Sequence, residues 1–271
     1  MKNKSFATFL LLSLVVFTCF IHLSIAHASV ANSGFDYLVK AGGQTYPLGG
    51  LITGQAGYGV KLWESTPPEE GPQWKYGYLR PTIELQTAGT VNRASAGLEI
   101  YPISILGISG GYGLSQRTLS YVQDFDCSQV MCDETLSYNY LQANLMGGYQ
   151  DYIFSVMGRY EKFTASESLK PFYEEMSYLV AQPDYDDLRT LDVFAGYKLS
   201  DRWTTGVRGI YQEFIFSQNN SSSMFAVGRY TEGFWQGTLG LGQFKSSHQD
   251  SRFSAILSVS YNGLKGIGLF D

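Results

Sequence analysis

One histidine follows residue 28, in the segment KSSHQDSRF, with serines and an aspartate beside it. His248 has Ser246, Ser247, Asp250 and Ser251 within three residues. A serine hydroxyl needs a nearby base to become a nucleophile, so this combination has the residue types of a hydrolase site. A lone histidine in a polar segment is more typical of a solvated loop. We therefore predict no catalytic residue here and keep a lipid hydrolase using His248 as the alternative.

Acidic residues gather in two polar segments. The first holds Asp124, Asp126, Asp133 and Glu134, and the second, PDYDDL, holds Asp184, Asp186 and Asp187. Carboxylate oxygens are the ligands that calcium prefers, but the spacing here matches no calcium-loop motif. We interpret both segments as solvated charged loops. The sequence predicts no metal site and no other cofactor.

Two cysteines lie five residues apart in DCSQVMCDE, at the first acidic segment. No metal-ligand spacing surrounds them, and the start of the chain indicates export to an oxidising compartment. We therefore predict a disulfide between Cys127 and Cys132. In the chain-entropy model so short a ring stabilises the fold by only about 2 kcal/mol. The bond is expected to shape a loop rather than to hold the fold together.

The chain begins with the layout of a secretory signal peptide. Lys2 and Lys4 precede a long apolar run, and small residues at Ala26 and Ala28 predict cleavage after residue 28. An uncleaved signal anchor is the alternative; a lipoprotein reading of Cys19 is rejected because bulky residues precede it. The prediction divides the chain into a signal peptide at 1–28 and a single domain at 29–271. Loss of two lysines makes the mature chain more acidic, which disfavours nucleic acid as a partner.

After the leader, short segments of alternating apolar and polar residues recur to the end of the chain. A period of two is typical of strands rather than helices. Twelve such segments are predicted, within a range of 10–14, and Pro81 is expected to cause a bulge or a break in the third. The segment KPFYEEMSYLV is predicted to be a short helix with Pro171 in its first turn, and an extra pair of strands between Phe163 and Asp187 is the alternative. The segments begin near Phe35, Gly50, Gln73, Thr90, Ile105, Leu136, Tyr152, Leu188, Arg202, Ser223, Phe234 and Arg252.

Connections between these segments differ in length. Those near residues 116–135, 163–187, 214–223 and 244–251 are long, whereas those between them are tight. Long loops at one end and short turns at the other are typical of barrels that span the bacterial outer membrane. The segment ESTPPEEGPQ falls on the short-turn side and does not fit. No apolar run after the leader is long enough for a spanning helix.

The two faces of the strands predict where each side chain points. A lipid-facing exterior would take the apolar and aromatic set, whereas the glycine-rich polar set suits a hydrated interior. A soluble protein could not bury so many charges in its core. The predicted lumen charge network is Arg80, Glu84, Arg93, Glu99, Arg159, Glu161, Asp192, Arg208 and Arg229. Aromatic residues predicted to lie at the membrane interface, next to short turns, are Tyr149, Tyr197, Trp203 and Trp235.

With these features the chain resembles Gram-negative outer-membrane β-barrel proteins over nearly all of its predicted mature length. The resemblance implies an all-β fold: a single antiparallel transmembrane barrel of about twelve strands, with short periplasmic turns and longer extracellular loops. It implies location in the outer membrane, contact with lipid and lipopolysaccharide, and insertion by the barrel assembly machinery. Members usually end on an aromatic residue; here Phe270 is penultimate.

The predicted function is non-enzymatic. Five arginines and four acids nearly cancel in the lumen network, which indicates weak ion selectivity. Two roles remain open: a narrow, weakly selective diffusion channel, or a plugged barrel that serves structure or surface recognition. The alternatives from other classes are the lipid hydrolase and a secreted soluble lipocalin-like binding protein. The sequence leaves the ligand and the oligomeric state open.

Overall fold

The computed structural model describes residues 33–64, 76–103, 105–117, 126–132, 135–165 and 170–263. Twelve antiparallel strands close into one barrel, in which each strand pairs with its neighbours along the chain and the first pairs with the last. The barrel strands are β1 Ser33–Thr45, β2 Leu48–Glu64, β3 Tyr76–Thr87, β4 Val91–Ile103, β5 Leu106–Arg117, β6 Thr135–Tyr149, β7 Tyr152–Ala165, β10 Tyr185–Lys198, β11 Trp203–Phe214, β12 Asn220–Glu232, β13 Trp235–Ser246 and β14 Gln249–Gly263. A separate hairpin, β8 Phe172–Glu174 and β9 Leu179–Ala181, lies between β7 and β10.

The predicted all-β barrel of twelve strands is confirmed. Each predicted segment coincides with one barrel strand, and the starting residues agree within about three positions. The agreement has a physical cause: alternation with a period of two is the pattern that a strand with two unlike faces requires. The predicted signal peptide at 1–28 and the chain end at Phe270 lie outside the described residues.

The two faces of the wall differ in composition. Apolar side chains point outward: Tyr58 is 49% exposed, Val193 37% and Val207 51%. The alternate positions point inward, where Arg80 and Arg93 are less than a tenth exposed. This arrangement is the reverse of a soluble barrel, which places its apolar face inside.

The two ends of the barrel differ in their connections. At the long-loop end, the chain crosses from β5 to β6 through residues 118–134 and from β7 to β10 through residues 166–184. At the short-turn end, connections such as 150–151 and 233–234 have two residues. The β2–β3 connection, part of the misfitting ESTPPEEGPQ segment, also lies at the short-turn end, as its place in the strand order requires.

Two smaller expectations differ from the structure. The connection predicted to be long near 244–251 is a two-residue turn, because β13 runs to Ser246 and β14 begins at Gln249. Strand β3 continues through Pro81, which keeps its register with Leu98, although the pairing with β2 skips this position. The register shift on that side falls at Lys61–Trp63 instead. Pro81 therefore removes a ladder contact without breaking the strand.

The helix predicted for KPFYEEMSYLV is wrong, and the alternative, an extra pair of strands in this connection, is confirmed. Residues 172–174 and 179–181 form the antiparallel hairpin β8–β9, with Phe172 opposite Ala181 and Glu174 opposite Leu179. The reversal is stabilised locally, because the Glu174 carboxylate accepts hydrogen bonds from the backbone N–H groups of Met176 and Ser177. Tertiary packing of the apolar side chains, described below, overrides the local helix signal. No helix long and apolar enough to cross a membrane occurs in the described part of the chain.

Candidate functional site: the barrel interior

The largest ionic cluster of the interior lies toward the long-loop end and joins β4 to β7. Arg93 donates to the Glu161 Oε1 atom at 2.9 Å, and Arg159 donates to the same oxygen at 2.9 Å. The Arg93 guanidinium stacks over the Tyr138 ring, 4.3 Å from its centroid, and Arg159 stacks over Tyr140 at 4.3 Å. Each cation therefore has both a carboxylate and an aromatic face, which offset the cost of removing it from water.

The β8–β9 hairpin brings two more carboxylates to this end of the barrel. Glu174 lies 3.6 Å from the Arg93 Nη1 atom, and Glu175 lies 2.6 Å from the Arg117 Nη1 atom. Thr90, in the β3–β4 connection, donates its hydroxyl hydrogen to Glu175 at 2.9 Å. The hairpin thus places two acidic side chains beside cations of the barrel wall, so polar contacts as well as packing join it to the mouth.

An apolar core holds the hairpin against the opposite wall. Phe172 and Leu179 are fully buried, and the rings of Phe163 and Phe214 pack edge-to-face beside Phe172. The remaining members of this core are Leu136, Tyr138, Ala165, Ala181 and Leu188. Because these residues come from β6, β7, β10, β11 and the hairpin itself, the mouth is filled on this side.

The hairpin tip reaches the strands on the far side of the mouth. Ser221 of β12 donates its hydroxyl hydrogen to the Ser177 carbonyl at 3.2 Å, and Tyr178 lies edge-on to Phe244 of β13. On β2, a Cβ atom at Gly49 would overlap the Tyr178 hydroxyl oxygen, so glycine permits this approach. The tip therefore spans the opening from wall to wall. Burial raises the pKa of the Tyr178 hydroxyl to about 12.

The segment that carries both predicted disulfide cysteines lies directly on the hairpin. The sulfurs of Cys127 and Cys132 are joined in the structure, and their Cα atoms are 5.5 Å apart. Met131 forms a bridge with Phe172, donating its N–H to the Pro171 carbonyl and accepting from the Tyr173 N–H. The disulfide segment therefore adds an extra edge to β8.

Asp186 does not behave as a solvated loop residue. It is fully buried, and its two carboxylate oxygens accept backbone N–H groups from Gln182, Asp187, Phe216 and Ser217 at 2.8–3.2 Å. A carboxylate occupied by four donors has no lone pair directed to a cation. Its role is to tie the end of the hairpin segment to the β11–β12 connection. Of the other acidic-segment residues, Asp124, Asp133 and Glu134 lie outside the described residues.

A second ionic cluster joins β1, β3 and β4. Arg80 donates from Nε to the Asp36 carboxylate at 2.9 Å and from Nη1 to Glu99 at 2.9 Å. All three side chains are mostly buried. The sequence prediction included Arg80 and Glu99 but missed Asp36. Asp36 lies on the inward-facing alternate positions of β1, whereas Val39 faces outward. Applying the same alternation to β1 would have identified it.

A third cluster joins β1, β10, β11 and β12. Arg208 donates from Nε to Asp192 at 3.0 Å, and the pair keeps some access to solvent. Lys40, which is exposed and shares the inward parity of Asp36, interacts electrostatically with Arg208, Asp192 and Arg229. The Arg229 guanidinium lies over the Phe194 ring, 5.0 Å from its centroid. Within the described residues this cluster therefore has three cations and one carboxylate.

The structure brings most of the predicted lumen charges together, in three groups rather than one network. Glu84 has no ion pair within the described chain; it accepts a hydrogen bond from Gln86 and lies in the field of Arg159 and Arg93. Arg229 forms no ion pair within the same residues either. Sequence reasoning missed Lys40, Asp36, Arg117 and the two hairpin acids.

Burial changes the pKa of Glu174, one of the two hairpin acids. Glu174 is 3% exposed, and desolvation raises its pKa above the ordinary value near 4.5, although Arg93 and the Ser177 N–H act in the opposite direction. A buried carboxylic acid with a raised pKa makes the local contacts sensitive to pH.

The four predicted interface aromatics lie on the outer face at the short-turn end. Trp203 stacks against Tyr230 at 4.9 Å, Trp235 against Tyr261 at 4.9 Å, and Tyr197 against Tyr152 at 5.2 Å between ring centroids. Tyr149 is 75% exposed and directly opposite Tyr152. Tyr152, Tyr230 and Tyr261 therefore accompany the four predicted aromatic residues at this end.

The serines around His248 are engaged in backbone and amide contacts. Ser246 accepts from the His248 backbone N–H, Ser247 donates to the Asn220 carbonyl, and Ser251 donates to Gln243. Asp250 is exposed at the start of β14. The contacts of Ser246 and Ser247 lie in the β13–β14 turn, and that of Ser251 joins β14 to β13. No group of three or more metal-ligating side chains occurs within the described ranges.

Comparison with known proteins gives similarity in structure only. No protein-family model and no curated protein matches the sequence. Similar solved structures include the KdgM porin (13% identity, 83% of this chain and 98% of that chain covered, TM-score 0.42). Others are the β domain of the Bordetella autotransporter BrkA (12%, 85% and 99%, 0.44) and the outer-membrane expressed OmpT of Vibrio cholerae (8%, 88% and 100%, 0.43). Identity and TM-score are both low, so the likeness does not extend to function.

Proposed function

We propose that the protein is a non-enzymatic outer-membrane barrel whose long-loop end, facing outward, is plugged by its own β8–β9 hairpin. Barrel strands of 12–17 residues exceed the length needed to cross a bilayer, which is about 9–11 residues for a tilted strand. The exterior band of exposed leucine, valine, isoleucine and aromatic side chains is larger than soluble proteins tolerate. Lipid is the partner that such a surface requires, with lipopolysaccharide at the outer leaflet.

The observation that carries the plug is the docking of the hairpin on every side of the mouth. Glu174 and Glu175 face cations of β4 and β5, Phe172 and Leu179 pack on β6, β7 and β11, and Tyr178 reaches β2 and β13. Contacts that surround a segment and bury it leave little room for solute to pass. Of the two non-enzymatic roles, this favours the plugged barrel over an always-open channel.

Planar-bilayer conductance tests the plug. We expect the wild-type protein to give almost no current, and a variant with residues 170–183 replaced by a glycine-serine linker to give stepwise current. The double variant Glu174→Ala, Glu175→Ala should conduct intermittently, because it loses the carboxyl contacts with Arg93 and Arg117 and the hydrogen bonds that Glu174 accepts within the hairpin, but keeps the apolar core. Glu232→Ala, which removes an exposed partner of Arg202, is the matched control and should stay silent.

Folding must be checked in the same samples by heat-modifiable migration on a gel after detergent extraction. Equal stepwise current from wild type and linker variant would overturn the plug and leave a narrow channel as the function. A folded linker variant that stays silent would also overturn it, because the barrier would then lie elsewhere. Partition of the protein into water without detergent would refute the membrane location.

A further inference from the structure

The third ionic cluster is the one in which cations outnumber carboxylates among the described residues. Lys40, Arg208 and Arg229 point inward from β1, β11 and β12, and Asp192 is the carboxylate among them. Asp192 is already engaged by Arg208. Within the described residues, Lys40 and Arg229 form no ion pair with the protein.

Arg229 is held in place by the wall. Its guanidinium lies over Phe194, and its Nε–H is buried with no hydrogen-bond partner among the described groups. Phe194 belongs to a buried apolar cluster with Phe225 and Val227, against which Ile153 and Ile256 pack, so the ring beneath Arg229 is held in place. An N–H donor kept dry and unpartnered in a protein costs free energy unless a bound group accepts it.

The cluster is accessible from inside the barrel. Lys40 is exposed, and the Arg208 side chain keeps a third of its surface accessible although both residues point inward. Arg229 lies four residues closer to the short-turn end than the Phe225 position that pairs with Arg208. Arg229 therefore lies on the side of Arg208 that is farther from the hairpin.

We infer that Lys40, Arg208 and Arg229 form a binding site for a small oxyanion, a phosphate or a carboxylate, on the inner wall of the barrel. An oxyanion there would accept hydrogen bonds from two guanidinium groups and face an ammonium group. Charge-assisted hydrogen bonds of this kind are stronger than those between neutral groups. Asp192 keeps Arg208 oriented and makes the site selective against polyanions by like-charge repulsion. The inference goes beyond the proposed function, since it requires no conduction.

Calorimetric titration of the full-length protein, folded in neutral detergent at low ionic strength, tests the site. Inorganic phosphate and acetate are the two probes, in separate titrations, and they separate a phosphate-binding site from a carboxylate-binding one. We expect saturable binding of one probe and at least about tenfold weaker binding in Arg229→Gln and in Lys40→Gln. Lys245→Gln removes an outward-facing lysine and is the matched control, with unchanged affinity.

Rising sodium chloride should weaken the binding, because the interaction is electrostatic and partly exposed to solvent. The site would be overturned by the absence of heat for both probes, or by equal affinity in wild type, Arg229→Gln and Lys40→Gln. Heat-modifiable migration of every variant shows that the barrel is folded. A conductance result, whichever way it falls, leaves this titration unaffected, so failure of the plug and failure of the anion site are distinguishable.

Discussion

Two of the three ionic clusters of the lumen, the Arg93 cluster under the hairpin and the Lys40–Arg208–Arg229 cluster, differ in how their charges are compensated. In the first cluster, each arginine contacts a carboxylate and an aromatic ring. The hairpin adds a further carboxylate, that of Glu174. In the second, cations outnumber carboxylates and water has access. In this pair of clusters, the matched charges lie in a filled part of the interior, and the excess of cations lies where side chains stay accessible to solvent or solute.

The largest expected effect is the loss of the central cation of the filled cluster. Arg93→Gln leaves Glu161 and Glu174 buried with less compensation, and breaking a buried pair by removing one partner costs about 3 kcal/mol. The free energy of unfolding, measured with urea for the protein in lipid vesicles, should fall by about that amount. Arg229→Gln is the matched variant from the other cluster and should leave it unchanged within about 0.5 kcal/mol. Equal losses in the two variants would break the comparison.

The next largest effect is expected for the disulfide segment, which pairs with hairpin strand β8 through Met131. We expect Cys127→Ser with Cys132→Ser to lower the free energy of unfolding by about 2 kcal/mol, as for a short disulfide ring. Because Met131 bridges to Phe172, the hairpin should also become more accessible to protease. Limited proteolysis followed by mass spectrometry locates the cuts. Cuts distributed equally over all connections would contradict a local role.

How well sequence reasoning performs differs between the wall and the hairpin. The wall is predictable, because a strand between lipid and lumen must alternate, and Tyr58 or Arg80 reports its own side by residue type alone. The hairpin is not, since KPFYEEMSYLV carries a helix-like proline and two glutamates whose partners, Arg93 and Arg117, are far away along the chain. Local pattern contains no information on which wall residues meet such a segment in space.

The ionic site was predictable in part for the same reason. Parity identifies which charges point inward, and it found Asp192, Arg208 and Arg229. It does not identify which of them pair, because pairing depends on strand order and stagger around the barrel. Lys40 was missed although β1 has the same alternation, so the unbalanced charge of that cluster became visible only with the structure.

A smaller effect is a pH dependence of the hairpin. Glu174 has a raised pKa when docked and returns to about 4.5 when an open hairpin exposes it to water. The docked state therefore binds more protons, so docking is strongest below pH 4.5 and weakens as pH rises through the docked pKa. Open probability in a bilayer should increase from pH 4 to pH 7.

Glu174→Gln tests the assignment of that pH dependence. Its side chain stays neutral at every pH, so the variant should remain closed at pH 7 and show no pH dependence between pH 4 and pH 7. Glu232→Gln, at the exposed Arg202 pair, is the control and should behave as wild type. If the pH dependence persists in Glu174→Gln, a group other than Glu174 causes it. The pH sensitivity would then not distinguish the Arg93 cluster from the Lys40–Arg208–Arg229 cluster.

The smallest expected effect is at His248, the one place where residue types alone indicated a reaction. His248→Ala should change neither the free energy of unfolding beyond about 0.5 kcal/mol nor phospholipid or lipopolysaccharide deacylation, measured by release of fatty acid. The reason is geometric: Ser246, Ser247 and Ser251 bond to the backbone and to Gln243, so the turn uses its hydroxyl groups for structure. Deacylation by wild type that disappears in His248→Ala would show that chemistry resides in this turn, and the contrast between the two lumen clusters would then not describe the function.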